Sequence, residues 1–200
     1  MSIERKVELV EILFYQLESE IAQFQESSGL GCVSGCGKCC TFPKVEASPL
    51  EFLPWAFHLF LIGEAENMLV ALNESHDSTC LIYKPLSIID AGRCGNYKYR
   101  GLICRLFGFA ANTDKYGNLR LATCKIIKEG QASEYSSTAE AISKGLYVPV
   151  FTDYYMKLNQ IDYNMGNVIL PINKALKSAI EEVLRYYAYR PFPYAGKSIV

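Results

Sequence analysis

The chain has 200 residues and a mass of 22.5 kDa; half of its residues are apolar, and 20 basic against 21 acidic side chains leave a net charge of −1. A chain of this length buries roughly 70% of the surface it exposes when unfolded, so it needs no covalent staples to fold. The near-neutral balance excludes intrinsic disorder, leaves no basic excess for nucleic acid, and no run approaches the ~20 apolar residues of a membrane helix.

The first element is a helix over 3–26, where Ile3, Val7, Val10, Phe14, Leu17, Ile21 and Phe24 recur at spacings of four and three and Ser27-Ser28-Gly29 ends the run. Glu4, Glu8, Glu11, Glu18 and Glu20 interrupt any apolar core of an export signal, so the expected location is the cytoplasm, where thiols stay reduced. A cysteine-rich loop over 32–40 follows, then an extended piece over 41–47. Ser48-Pro49-Leu50-Glu51 combines an N-cap serine, a proline at the first helical position and a glutamate three residues on, and it starts a helix running to about 62. Gly63 breaks that helix and a second covers 64–73; His58 reads as a hydrogen-bonded core histidine and His76 as a solvated loop residue. Residues 80–109 read as loop-rich. A turn at Asp114-Lys115-Tyr116-Gly117-Asn118 joins 106–111 to 119–124 as a hairpin. Ser137-Thr138-Ala139-Glu140 reads as a second capping box opening a short helix to Lys144, and Pro149 opens another to about Asp162. Pro171 opens the last long helix, over 172–187, whose face of Ile172, Leu176, Ala179 and Val183 is the expected partner of the first helix. The tail over 191–200 reads as irregular. The expectation is therefore a mainly α fold: a single domain over 1–200, with about five or six helices, a small β-hairpin and a metal-binding segment over about 30–125 enclosed by terminal helices.

Cysteine usage is the anomaly. Cys32, Cys36, Cys39, Cys40, Cys80, Cys94, Cys104 and Cys124 all lie within 32–124, and four of the eight fall in nine residues. A reducing compartment gives disulfides no lasting value, whereas soft thiolates select zinc and iron–sulfur clusters. Gly35 and Gly37 permit the tight turns such a loop needs, and Lys38, Arg93, Arg105 and Lys125 stand beside cysteines where they could offset thiolate charge. The run Cys36-Gly37-Lys38-Cys39 has the spacing of a thioredoxin redox motif but lacks a preceding strand. Adjacent Cys39 and Cys40 are expected to diverge, so the short run supplies three sulfurs to one centre and Cys104 is the favoured fourth. Cys124, alone after an apolar strand, has the weakest claim and also reads as an inert buried thiol.

These residues resemble the YkgJ-like cysteine-cluster family of zinc- or iron-chelating domains. Cys32, Cys36, Cys39 and Cys40 match its initial run, and Ser48 to Glu51 its acid-containing helix start. Cys80 matches a following cysteine, Cys94-Gly95-Asn96-Tyr97 a Cys-x-x-Tyr element, and Arg100-Gly101-Leu102-Ile103-Cys104-Arg105-Leu106-Phe107 an Arg-Pro-x-x-Cys-Arg-x-Phe element. Gly101 replaces the proline, which suggests a looser turn. The resemblance covers roughly 30–125 and implies metal or iron–sulfur chelation by seven cysteines, with Cys124 an eighth.

Eight thiolates suffice for two tetrahedral zinc ions, or for one [4Fe–4S] cluster with ligands to spare. The apolar neighbours Leu81, Ile82, Leu102, Ile103, Leu106 and Phe107 favour a shielded iron–sulfur cluster. The expected function is a cytoplasmic metal-binding protein in electron transfer or in metal or cluster handling, with the metal as its partner and a partner protein left open. Two alternatives stand. One is a cluster-dependent enzyme, for example with protein-modifying methylase-like activity, its pocket lined by Tyr83, Tyr97, Tyr99, Tyr147, Tyr154 and Tyr155. The other is a structural zinc module for protein interaction. No hydrolase triad, phosphate loop or dinucleotide fingerprint assigns catalytic residues.

Overall fold

The computed structural model of the chain describes residues 1–75, 78–86 and 92–193. Helix α1 (Ile3–Ser28) has both ends set by local chemistry. The Ser2 hydroxyl accepts the Arg5 N–H at 3.3 Å, and Gly29, at φ 70°, turns its own N–H back to the Gln25 carbonyl. Strand β1 (Glu46–Ala47) leads into α2 (Pro49–Leu61), where the Glu51 carboxylate accepts the Ser48 backbone N–H at 2.8 Å as a capping box requires. Helix α3 (Ala65–Glu74) follows. Strands β2 (Tyr83–Pro85) and β3 (Gly92–Cys94) pair antiparallel with Tyr83 opposite Cys94. A single 3-10 turn (Tyr97–Tyr99) precedes α4 (Leu102–Leu106). Strands β4 (Ala110–Thr113) and β5 (Leu119–Ala122) form the expected hairpin, and the Asp114 carboxylate closes its turn by accepting the Tyr116 and Asn118 N–H groups at 2.9 Å each. Then come α5 (Lys125–Gly130), α6 (Ala132–Ser143), α7 (Phe151–Ile161) and α8 (Tyr163–Gly166). Strand β6 (Leu170–Pro171) pairs with β1, and α9 (Ile172–Tyr187) closes the order.

The fold is mainly helical with small antiparallel strand pairs, as the periodicities imply. Among the described residues there are nine α-helical segments rather than five or six, the excess being the short α4, α5 and α8. No helix of the described residues is long and apolar enough to cross a membrane.

One packing expectation is corrected. The long terminal helices do not take each other as principal partners; α2 lies between them, packing on α1 and most extensively on α9. The reason is in α2 itself. Every residue from Pro49 to Phe57 is buried, and Leu59 as well. A helix apolar all round must be covered all round, and the one-sided stripes of α1 and α9 are the surfaces that cover it. Leu17 of α1 and Ala175, Ala179, Ile180 and Val183 of α9 are fully buried in that core.

Two helix starts also differ. Ser137 does not cap a helix: α6 already begins at Ala132, and within it the Ser136 hydroxyl bonds back to the Ala132 carbonyl at 2.8 Å. Pro171 is the N-cap of α9 rather than its first helical residue, because its own segment is engaged as β6. His76 and residues 194–200 of the tail lie outside the described residues.

Truncating the α1 stripe tests this arrangement. Leu17→Ala should lower the free energy of unfolding by about 2–5 kcal/mol, read from the denaturant midpoint, because Leu17 is fully enclosed.

Candidate metal centre

The 32–40 loop is shaped by two glycines in left-handed backbone, Gly35 at φ 71° and Gly37 at φ 57°. Tight turns follow, with the Cys36 N–H reaching the Val33 carbonyl at 3.3 Å and the Cys40 N–H reaching that of Gly37 at 2.9 Å. The loop then docks backbone to backbone on the segment carrying β2 and β3. Gly92 donates its N–H to the Gly35 carbonyl at 2.9 Å, and Cys80 donates to the Cys40 carbonyl at 3.0 Å. A Cβ on Gly37 would stand 2.6 Å from the Gly92 carbonyl carbon, so only glycine allows this approach.

The distant cysteines are held by helical side chains that grip the backbone next to them. Gln131, between α5 and α6, clamps Gly31 beside Cys32 in both directions, accepting its N–H at 2.9 Å and donating to its carbonyl at 2.7 Å. Asn173 on α9 grips both neighbours of Cys80, donating to the Thr79 carbonyl at 2.8 Å and accepting the Leu81 N–H at 2.9 Å. Glu51 on α2 accepts the Ile103 N–H at 2.8 Å, beside Cys104, and the Tyr155 hydroxyl at 3.1 Å. Sequence reasoning missed Gln131 and Asn173; neither carries a motif, and their amides report on nothing nearby in sequence.

All eight cysteines are free thiols; Cys32 and Cys39 are exposed, Cys80 is buried and the others are half-buried. Their mutual influence sorts them. Cys32 feels the charges of Cys36, Cys39 and Cys124, whereas Cys40 feels Cys39, Cys80 and Cys94, and Cys104 feels Cys80 and Cys39. Cys124 is thus a neighbour of Cys32 rather than an isolated thiol. It caps α5, its sulfur accepting the Ile127 N–H at 3.4 Å. Hydrogen bonding between the adjacent thiols holds Cys39 down and pushes Cys40 up. Burial, and then the neighbouring thiols, push up Cys32 and Cys104; burial is also the main cause for Cys94 and for Cys80, which reaches about 11. Among the described residues no three His, Cys, Asp or Glu side chains form a ready-made metal-binding group. The sulfurs share one electrostatic neighbourhood without standing as preset ligands.

The cation in that neighbourhood is not among the four expected from sequence adjacency. Arg100 is the guanidinium whose charge opposes the upward shifts of Cys32, Cys94 and Cys104 and adds to the lowering of Cys39. Arg105, only 4% exposed, turns into the core, where it pairs with Glu18, donates to the Arg100 and Lys98 carbonyls at 3.0 and 2.6 Å and lies over the Phe14 ring. Lys125 is exposed and pairs with Glu129 at 3.6 Å, and Arg93 is exposed. Gly101 does not loosen its turn. Its φ of −63° is that of a proline, and a Cβ there would press to 3.0 Å on the Glu51 carboxylate.

The six tyrosines considered for a pocket are dispersed. Tyr83 packs at Gly37 and Gly92, Tyr97 lies under Arg100, Tyr155 bonds Glu51, Tyr147 bonds Glu20, and Tyr154 is buried in the core. His58 is half-buried and stacks on Tyr99 with ring centroids 5.0 Å apart. Both rings line a cleft of about 560 Å³ with Glu4, Glu8 and Glu11, away from the cysteines.

Two outcomes follow from this geometry. Gly37→Ala should separate the loop from β3 and sharply reduce bound metal per chain by elemental analysis, while the cooperative melt of the helical core remains. Burial drives the Glu51 carboxyl from 4.5 up to about 7, against the opposing bonds from Ser48, Ile103 and Tyr155. A raised acid binds its proton more tightly when folded, so its contribution is present below about pH 4.5 and is lost as pH rises through about 7. Relative to Glu51→Gln, the wild-type chain should therefore lose about 3 kcal/mol across that window in denaturant titrations at a series of pH values.

The donor set is soft, clustered, mutually repelling and free of disulfides, which fits zinc or iron held by thiolates. No curated protein and no solved structure matches the chain. A model of the CxxCxxCC family, described as "Putative zinc- or iron-chelating domain", matches residues 31–133. That span is just over half of the 200 residues and holds all eight cysteines together with Arg100 and Gln131, so the chain belongs to this family of zinc- or iron-chelating domains.

Proposed function

We propose that the chain is a cytoplasmic metal-binding protein of one domain, holding zinc or a [4Fe–4S] cluster through Cys32, Cys36, Cys39, Cys40, Cys80, Cys94, Cys104 and Cys124. The observation that carries this reading is the convergence of cysteines spread over 93 residues into one electrostatic neighbourhood, clamped there by Gln131, Asn173 and Glu51. Cys39 links the thiols, since its charge bears on Cys32 and likewise on Cys40, Cys80, Cys94 and Cys104. The same donors serve a tetrahedral zinc or one cubane cluster. Metal binding replaces the thiol protons, so sulfurs that repel one another as thiolates become jointly stable around a cation. Exposure of Cys32 and Cys39 leaves one edge of the centre open to solvent, which supports electron transfer or metal and cluster handling over a sealed structural role.

Anaerobic purification followed by elemental analysis, native mass spectrometry and an absorption spectrum tests the reading. Bound zinc, or bound iron with broad visible absorption, is expected, with the cysteines free of disulfides. Cys36→Ser and Cys124→Ser should each lower the metal content. A native chain holding no metal and carrying four disulfides would overturn the proposal.

A further inference from the structure

Arg100 stands apart from the other cations of the cysteine region. Its root is fixed, since the Arg105 guanidinium holds the Arg100 carbonyl at 3.0 Å and the following residues enter α4. Its head is fixed as well, with the guanidinium carbon 3.5 Å from the centre of the Tyr97 ring. Yet its Nε is buried and, among the described residues, has no hydrogen-bond partner. A guanidinium stays charged at any physiological pH, and leaving one of its buried N–H groups unpaired carries the desolvation penalty of a charged donor. Such a group persists when something else occupies its donor. The neighbours within reach of its charge are Cys32, Cys39, Cys94 and Cys104.

We propose that Arg100 is the positioning residue of the thiolate centre: in the metal-loaded protein its Nε–H donates to a ligand sulfur and its charge offsets that of the thiolates. This inference rests on the reading of the cysteines as metal ligands. Arg100 is not itself a ligand, because a guanidinium offers no lone pair. Its contribution is to lower the energy of the bound thiolates and to fix the orientation of one of them. A donor to sulfur also withdraws electron density from it, and this leaves a spectroscopic mark that a purely structural arginine would not.

The test uses the full reduced chain with zinc and with cobalt(II), comparing wild type with Arg100→Met, which keeps the stem, and Arg100→Gln, which keeps an N–H but not the charge. Zinc affinity is read by chelator competition, the helical fold by far-ultraviolet circular dichroism, and the bound sulfurs by the cobalt–thiolate charge-transfer band. Arg100→Met should keep the helical signal, bind zinc roughly 10- to 100-fold more weakly, and move the charge-transfer band to longer wavelength. Arg100→Gln should weaken binding but hold the band nearer the wild-type position. Wild-type affinity and an unmoved band in Arg100→Met would overturn the assignment while leaving the metal centre standing. Should Arg100→Met fail to fold, undiminished zinc affinity in Arg100→Gln would overturn it instead. A wild-type chain that takes up neither zinc nor cobalt would sink the underlying reading and this inference together.

Discussion

The structure depends on forcing like groups together. Neighbouring thiols make Cys32, Cys40 and Cys104 harder to ionise, so these sulfurs cannot assemble the site by attracting one another. The frame does it with bonds that leave sulfur free. Gln131, Asn173 and Glu51 each bind main chain immediately beside a cysteine, and Gly92 and Cys80 tie the 32–40 loop to the hairpin segment through backbone alone. Every such contact ends on an amide or a carbonyl, so none of them occupies a sulfur lone pair.

Glu51 joins this frame to the hydrophobic core. It is 1% exposed, on a helix whose other faces are apolar, and a carboxyl in that position is costly unless its oxygens are occupied. They are, by Ser48, Ile103 and Tyr155, which belong to three different parts of the fold. One side chain therefore caps α2, aligns the helix bearing Cys104 and anchors α7. Arg105 makes a comparable link from α4 to α1 through Glu18 and Phe14. The residues beside Cys104 are thus locked to the same two helices that form the core.

Amphipathic periodicity made α1 and α9 legible, the capping sequence Ser48–Glu51 marked the start of α2, and the Asp114–Asn118 turn marked its hairpin, since these signals are local. The packing partner of α1 was not, because a one-sided stripe says that it needs a partner without saying which. The decisive clue was the all-round burial of α2, which asks for two covering faces. The cysteine segment was legible as a site from clustering and family resemblance. Its organisation was not: Cys124 reaches Cys32 because Gln131 returns to Gly31 across 100 positions, and no spacing rule contains that contact. Ser137 misled because its capping pattern lies inside a helix that has already begun at Ala132.

The same locality explains the cations. Lys38, Arg93, Arg105 and Lys125 are neighbours of cysteines along the chain, but adjacent side chains project in different directions from turns and short helices. Arg105 follows Cys104 and still points away, into the core, where its three anchors include the carbonyl of Arg100. That contact spends one arginine to place another. Arg100 then bears on Cys32, Cys39, Cys94 and Cys104, and fully ionised these four would outweigh it. A bound cation would supply the positive charge these thiolates lack, which couples metal binding to proton release. A site built this way is electrostatically incomplete as protein alone, and that incompleteness is the physical content of its being a chelating domain.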